Sequence, residues 1–274
     1  MKHFAILVWA LTLTSGLARP GQADGLIPDD VAAAMQAADV VILGEIHDNP
    51  RHHMVQTQAL EAVSPSAVVW EMVTEEGAKR LAQTAASDPE ELSRILQWAE
   101  SGWPPLSMYY PVFEATDAPI YGAMVPRKAA RTAMERGAAT TFGADAARYG
   151  LTVPLSADDQ AAREADQLAA HCNAVPTEML PQMVAIQRLR DAVLTRAILR
   201  AKDETGGPVA VITGNGHARK DRGIPTFLSR LSPGLKVYVL GQSEDGVVEG
   251  TFDAVIDSPT AEREDPCEAF GVQN

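Results

Sequence analysis

Five short, mostly apolar runs separated by stretches of helical spacing constrain this fold more than any other feature of the chain. They are Val40 to Leu43, Ala67 to Glu71, Ile120 to Met124, Val209 to Thr213 and Lys236 to Leu240. Strands covered on both faces read this way, because neither face alternates toward water. The stretches between them carry helical spacing: Pro50 to Val63, Glu75 to Ala99, Arg127 to Arg136, Ser156 to His171 and Pro176 to Asp203. In the last of these Met179, Met183, Ile186, Val193 and Ile198 fall near one face. The pattern predicts an α/β fold with a mostly parallel central sheet flanked by helices. Ala254 to Ile256 would add an edge strand, and the tail beyond it reads as irregular. Residues 75–119 and 127–205 are longer than single crossovers need, so helical insertions forming a cap or side lobe are expected there. Residues 24–274 are then expected to make one domain.

Residues 1–23 stand apart. A short basic start, an apolar run from Phe4 to Leu13 and the small residues around Gly21 to Ala23 read as a secretory leader cleaved near Ala23. The run falls short of the ~20 residues that span a bilayer, and no cysteine follows it to carry a lipid anchor. A periplasmic or secreted chain with no transmembrane segment is expected. In that compartment the cysteines Cys172 and Cys267 should pair as a disulfide. The formal charge is −13, and loss of Lys2 and Arg19 with the leader takes it to −15. Such a surface repels phosphate backbones, which excludes nucleic acid as a partner.

Chemistry-bearing residues gather at the strand ends. Glu45 and His47 follow the first run, Glu71 closes the second, Arg127 follows the third and His217 the fourth. Ligands of open parallel sheets bind beyond the carboxyl ends of the strands, so these positions should share one crevice. Asn49 is a good N-cap and Pro50 suits the first helical position, which puts His52 and His53 in the first turn of a helix facing that crevice. The helix dipole there favours neutral imidazole. Gly44, Gly214 and Gly216 are expected to allow turns with positive φ and close backbone approach. Two chemistries fit Glu45, His47, Glu71 and His217. They could ligate a divalent metal with a position left for water, or act without metal as general acid and base, and either makes a hydrolase.

The same motifs carry a family resemblance. Leu43-Gly44-Glu45-Ile46-His47-Asp48-Asn49-Pro50 with His52, His53 and Gln56, the Val69-Trp70-Glu71-Met72 strand end, Trp103-Pro104, Tyr110-Pro111, Val125-Pro126-Arg127, Gln187 with Asp191, and Gly214-Asn215-Gly216-His217 through Gly223-Ile224-Pro225 occur in order. Together they resemble the ChaN family of haem-binding uptake proteins, within the grouping that includes Tiki and TraB proteins and erythromycin esterases. The resemblance implies a bacterial, periplasmic protein of iron uptake that binds haem, with room for stacked haems across a homodimer. It also implies a tyrosine iron ligand from the helical lobe, which Tyr110 or Tyr109 could supply within the segment Trp98, Trp103, Met108, Tyr109, Tyr110 and Phe113. Arg219, Lys220 and Arg222 form a basic patch suited to propionates or another carboxylate ligand.

Overall fold

In the computed structural model, which describes residues 25–84, 86, 88–265, 267 and 268, each expected strand forms. The leader read over residues 1–23 lies outside the described residues. The chain runs α1 (Asp29–Gln36), β1 (Val40–Leu43), α2 (Pro50–Val63), β2 (Ala67–Trp70), α3 (Glu75–Gln83), α4 (Pro89–Leu96), α5 (Leu106–Glu114) and β3 (Ile120–Gly122). Next come α6 (Arg127–Arg136), α7 (Ala138–Phe142), α8 (Ala157–Ala170) and α9 (Leu180–Thr205). The remainder is β4 (Val209–Ile212), α10 (Asn215–Ala218), α11 (Ile224–Leu231), β5 (Val237–Glu244) and β6 (Ala254–Ser258). The sheet is six-stranded in the order β3-β2-β4-β1-β5-β6, and every pairing is parallel.

Register explains how the strand ends meet. Leu43 pairs with Ile212 and Leu240, and Trp70 pairs with Ile212, so β1, β2 and β4 stop at one level. Gly44, Glu71 and Thr213 therefore emerge side by side. The pleat sends alternate side chains to opposite cores. Val41 and Leu43 face a cluster built with α2, α5 and Trp98, while Val40 and Ile42 face Leu194, Ile198 and Ala201 of α9. Each fully buried aliphatic contributes roughly 1.5–3 kcal/mol over its exposed state. A third cluster, with Phe142, Tyr149, Ile186, Leu189 and Phe227, joins α6, α7 and α11 to the first half of α9.

Local chemistry sets the helix bounds. Asn49 accepts a hydrogen bond from the Arg51 amide and Pro50 opens α2, as its sequence predicts. The single helix expected from Glu75 to Ala99 is instead two, because Asp88 caps a fresh start at Pro89. β5 runs four residues past Leu240, where the polar Gln242, Ser243 and Glu244 are buried, and β6 pairs along that extension. Asn49 also donates to Glu244 Oε1 at 2.6 Å and to the Pro259 carbonyl at 3.1 Å, while Arg263 pairs with Glu244 and lies 2.9 Å from Asp48. The C-terminal segment thus clasps the loop after β1. Cys172, just past α8, is bonded to Cys267. Among the described residues no helix is long and apolar enough to cross a membrane.

Candidate functional site

Two acid–imidazole systems stand next to each other at the sheet's carboxyl edge. The first centres on Glu45, which is buried. Its Oε1 accepts from the Tyr109 hydroxyl at 2.7 Å and lies 2.6 Å from His47 Nδ1, and its Oε2 accepts from Gln56 Nε2 at 2.8 Å. His53 Nε2 approaches Oε2 to 3.2 Å while its ring packs on Tyr109, 4.1 Å between centroids. Burial pushes the Glu45 carboxyl upward, but the imidazoles of His47 and His53 prevail and hold it near 2. His47 is the member that reaches solvent, with 28% of its side chain exposed and its ring against Trp103. Burial works against its charge, yet Glu45 raises its pKa overall.

The second system centres on His217 of α10. Its Nδ1 lies 2.6 Å from Asp191 Oδ1, and its Nε2 lies 3.4 Å from Glu71 Oε1. Glu71 Oε2 accepts from the Thr213 hydroxyl at 2.7 Å and the Gly214 amide at 2.8 Å. Burial opposes an imidazolium here, but Glu71 and Asp191 outweigh it and raise His217 to about 10. Burial likewise pushes Glu71 up, and the His217 charge drives it well below the usual carboxylate range. For Asp191 burial dominates and the carboxyl moves upward. The two systems touch at Gly214, where an added Cβ would lie 2.9 Å from His47 Nε2 and 3.8 Å from Glu71 Oε2.

The glycines serve space rather than torsion. None of Gly44, Gly214 and Gly216 has positive φ, which corrects the expectation of left-handed turns. A Cβ on Gly44 would meet Asn215 Oδ1 at 2.4 Å, and Asn215 is needed to hold β5 through Gln242. His52 accepts from the Ile46 amide at 2.9 Å and stands 3.3 Å from the Ser243 carbonyl, a pattern that requires one protonated ring nitrogen and one bare one. Burial lowers its pKa, so it is a neutral imidazole tying the motif loop to β5.

Other candidates are placed less centrally. Arg127 lines a cavity of about 230 Å³ with Glu71 and Trp103, and its guanidinium donates to the Ser101 carbonyl at 3.4 Å. Arg219, Lys220 and Arg222 are neutralised by Asp221, Asp253 and Asp166. Tyr109 is fully buried with its hydroxyl on Glu45, whereas the adjoining Tyr110 is half-buried. The metal-ligand reading of Glu45, His47, Glu71 and His217 is not supported. Among the described residues no group of three or more His, Cys, Asp or Glu side chains is arranged to hold a metal ion. The physical reason is that the four donors close on one another as two separate pairs. Thr213 and Gln242 also build the site, the latter donating to the Gly44 and His52 carbonyls at 2.7 and 3.2 Å. Their sequence signal is slight, a polar residue ending an apolar run.

A cavity of about 500 Å³ opens above, floored by Ile46, Gln187, Asp191, Asn215 and Gly216. It falls within the range of small-molecule sites. The geometry thus defines a parallel α/β protein with a strand-end crevice of buried, hydrogen-bonded carboxylates and imidazoles.

Residues 31–228 match the family described as haem-binding uptake, Tiki superfamily, ChaN, and the chain belongs to that family. No curated protein matches it. A solved structure of ChaN of Campylobacter jejuni, described as showing cofacial heme binding, superposes with a TM-score of 0.64 at 20% identity, covering 82% of this chain and 89% of that one. That similarity concerns the fold. The type III effector HopBA1 gives a TM-score of 0.48 at 13% identity over 91% of this chain and 100% of that one, too distant to carry an argument.

Proposed function

We propose that this is an exported haem-binding protein of ChaN type that serves haem or iron acquisition. The observation that carries the reading is the family match over residues 31–228. The Cys172–Cys267 bond suits an oxidising compartment outside the cytoplasm. Cofacial heme in the Campylobacter jejuni relative makes a pair of stacked haems across a homodimer the arrangement to test. When bound, haem would supply a ferric centre, for which a phenol oxygen is a suitable ligand. Tyr110 fits that role better than Tyr109, because the Tyr109 hydroxyl is held in a hydrogen bond to Glu45 inside the core. Beside Tyr110 on α5, Met108 is also partly buried and offers apolar surface to a porphyrin. Titration with haemin should give a Soret shift in the wild type, and Tyr110→Phe should weaken binding roughly tenfold or more, about 1.4 kcal/mol. An unchanged spectrum and affinity in Tyr110→Phe would remove Tyr110 as the ligand, and no Soret shift in the wild type would remove the function.

A second reading is favoured by one specific contact. His47 sets Nδ1 on Glu45 and turns Nε2 toward the crevice beside Gly214, the arrangement of a general base held by its orienting acid. We infer a hydrolytic site in which His47 Nε2 takes a proton from a water that attacks an ester carbonyl and returns it to the departing alcohol as the C–O bond breaks, while Glu45 fixes the tautomer. Because His47 is raised above its ordinary 6.5, the base form accumulates only above that pH. Hydrolysis of chromogenic esters should therefore rise with pH along a limb centred above 6.5 and vanish in His47→Ala. Activity unaffected by His47→Ala would end this reading.

A further inference from the structure

A cavity of about 230 Å³ between α8, α9 and α11 carries charge opposite to that of the whole chain. Arg163, Arg188, Arg222 and Arg230 line it with Tyr149 and Phe227, and among the described residues no acidic side chain does. The chain as a whole is at −13, so four guanidinium groups on one small cavity are a local reversal. Two of them are compensated. Arg163 makes a paired contact with Asp159 at 2.8 and 3.1 Å, and Arg222 reaches Asp166 at 2.5 Å.

The other two are not paired with any carboxylate among the described residues. Arg188 donates from Nη2 to the Gly150 and Val153 carbonyls at 2.8 and 3.0 Å, and Arg230 donates from Nε to the Arg148 carbonyl at 3.2 Å. Neutral carbonyls orient a guanidinium without cancelling its charge. Gly150, at φ +75°, lies between the two: its carbonyl accepts from Arg188, and a Cβ added to it would lie 3.1 Å from Arg230 Nη1. Burial, and then the neighbouring Arg163, pull Arg188 below the ordinary arginine range. Like charges gathered in partial burial are relieved by a bound anion, and arginine forks match oxyanions with two hydrogen bonds each.

We propose that this cavity binds a multivalent oxyanion, held by Arg188 and Arg230, with the ion-paired Arg163 and Arg222 completing the lining. Its volume is below that usual for a whole organic ligand and suits a phosphate or a polycarboxylate head. Free phosphate, a free polycarboxylate and the two propionates of haem all present this chemistry. Arg163 and Arg222 also line the cavity of about 500 Å³ above the crevice, so the two spaces share that wall. The assignment does not rest on haem binding, because free anions test it alone.

The experiment measures thermal midpoints of the full protein at matched ionic strength in chloride, inorganic phosphate and citrate. Phosphate or citrate should raise the wild-type midpoint by a few degrees and bind Arg188→Gln/Arg230→Gln at least tenfold more weakly. Arg230→Gln alone, at an exposed side chain, gives the same readout should the double variant fail to fold. A parallel titration compares haemin with its dimethyl ester, whose propionates carry no charge. Weaker haemin binding by the variants with equal ester binding identifies propionates as the anion. If phosphate and citrate shift wild type and variants equally, as a general salt effect would, and haemin affinity is the same in wild type and variants, the proposal is overturned. Absence of haem binding in every protein, with phosphate or citrate still discriminating, sinks only the haem reading.

Discussion

Replacing His217 by alanine should lower folding stability by about 3–5 kcal/mol near pH 6, the usual cost of stripping the partner from a buried charge. His217 is 6% exposed and stands between Asp191 and Glu71, which are 1% and 8% exposed. Without the imidazolium both carboxylates face each other in a medium that solvates neither. The pH dependence follows from the shift. His217 goes from an ordinary 6.5 to about 10 in the fold, so its stabilisation is complete below 6.5 and is lost as pH rises through about 10. Glu45 moves the other way, from 4.5 to about 2, so its contribution is present above 4.5 and disappears as pH falls through about 2. Urea unfolding of wild type and His217→Ala should therefore differ most below pH 6.5 and converge toward pH 10. A difference under about 1 kcal/mol near pH 6 would contradict the buried-charge account.

Opening the Cys172–Cys267 bond should be the other large loss. The double variant Cys172→Ser/Cys267→Ser is expected to cost about 2–4 kcal/mol, since a crosslink over 95 positions restrains a long loop of the unfolded chain. Part of the tail has other anchors, because Arg263 engages Glu244 and Asp48 independently of the sulfurs. Denaturant midpoints with and without reductant measure the effect. If reduction leaves the wild-type midpoint in place, those ion pairs alone suffice to seat the tail.

The sheet was legible because its strands are buried on both faces, and a short apolar run with polar ends suits little else than a covered strand. β1 matches its expected bounds, and β5 does not, because its extension through Gln242 to Glu244 is stabilised by hydrogen bonds rather than by hydrophobicity. The helix from Leu106 to Glu114 falls inside the helical insertion expected over residues 75–119, but it is not singled out there, and Pro111 within it has low helix propensity. At the site, strand-end spacing brings Glu45, His47, Glu71 and His217 to one edge as expected. It does not divide them into two pairs, since pairing depends on side-chain reach across strands. Nor does spacing tell Tyr109 from Tyr110: one helix step separates a buried donor to Glu45 from a ring near the surface.

Strand order gives β1 a particular place in time. It lies between β4 and β5, whose residues begin at Val209 and Val237, so neither neighbour exists until most of the chain has been made. Pairings so distant along the chain close large loops before they return any energy, which slows folding. A nascent chain cut short before Val209 has no sheet partner for β1 and lacks His217 of the second acid–imidazole system. The site can therefore assemble only after β4 and β5 have been made, late in the synthesis of the chain.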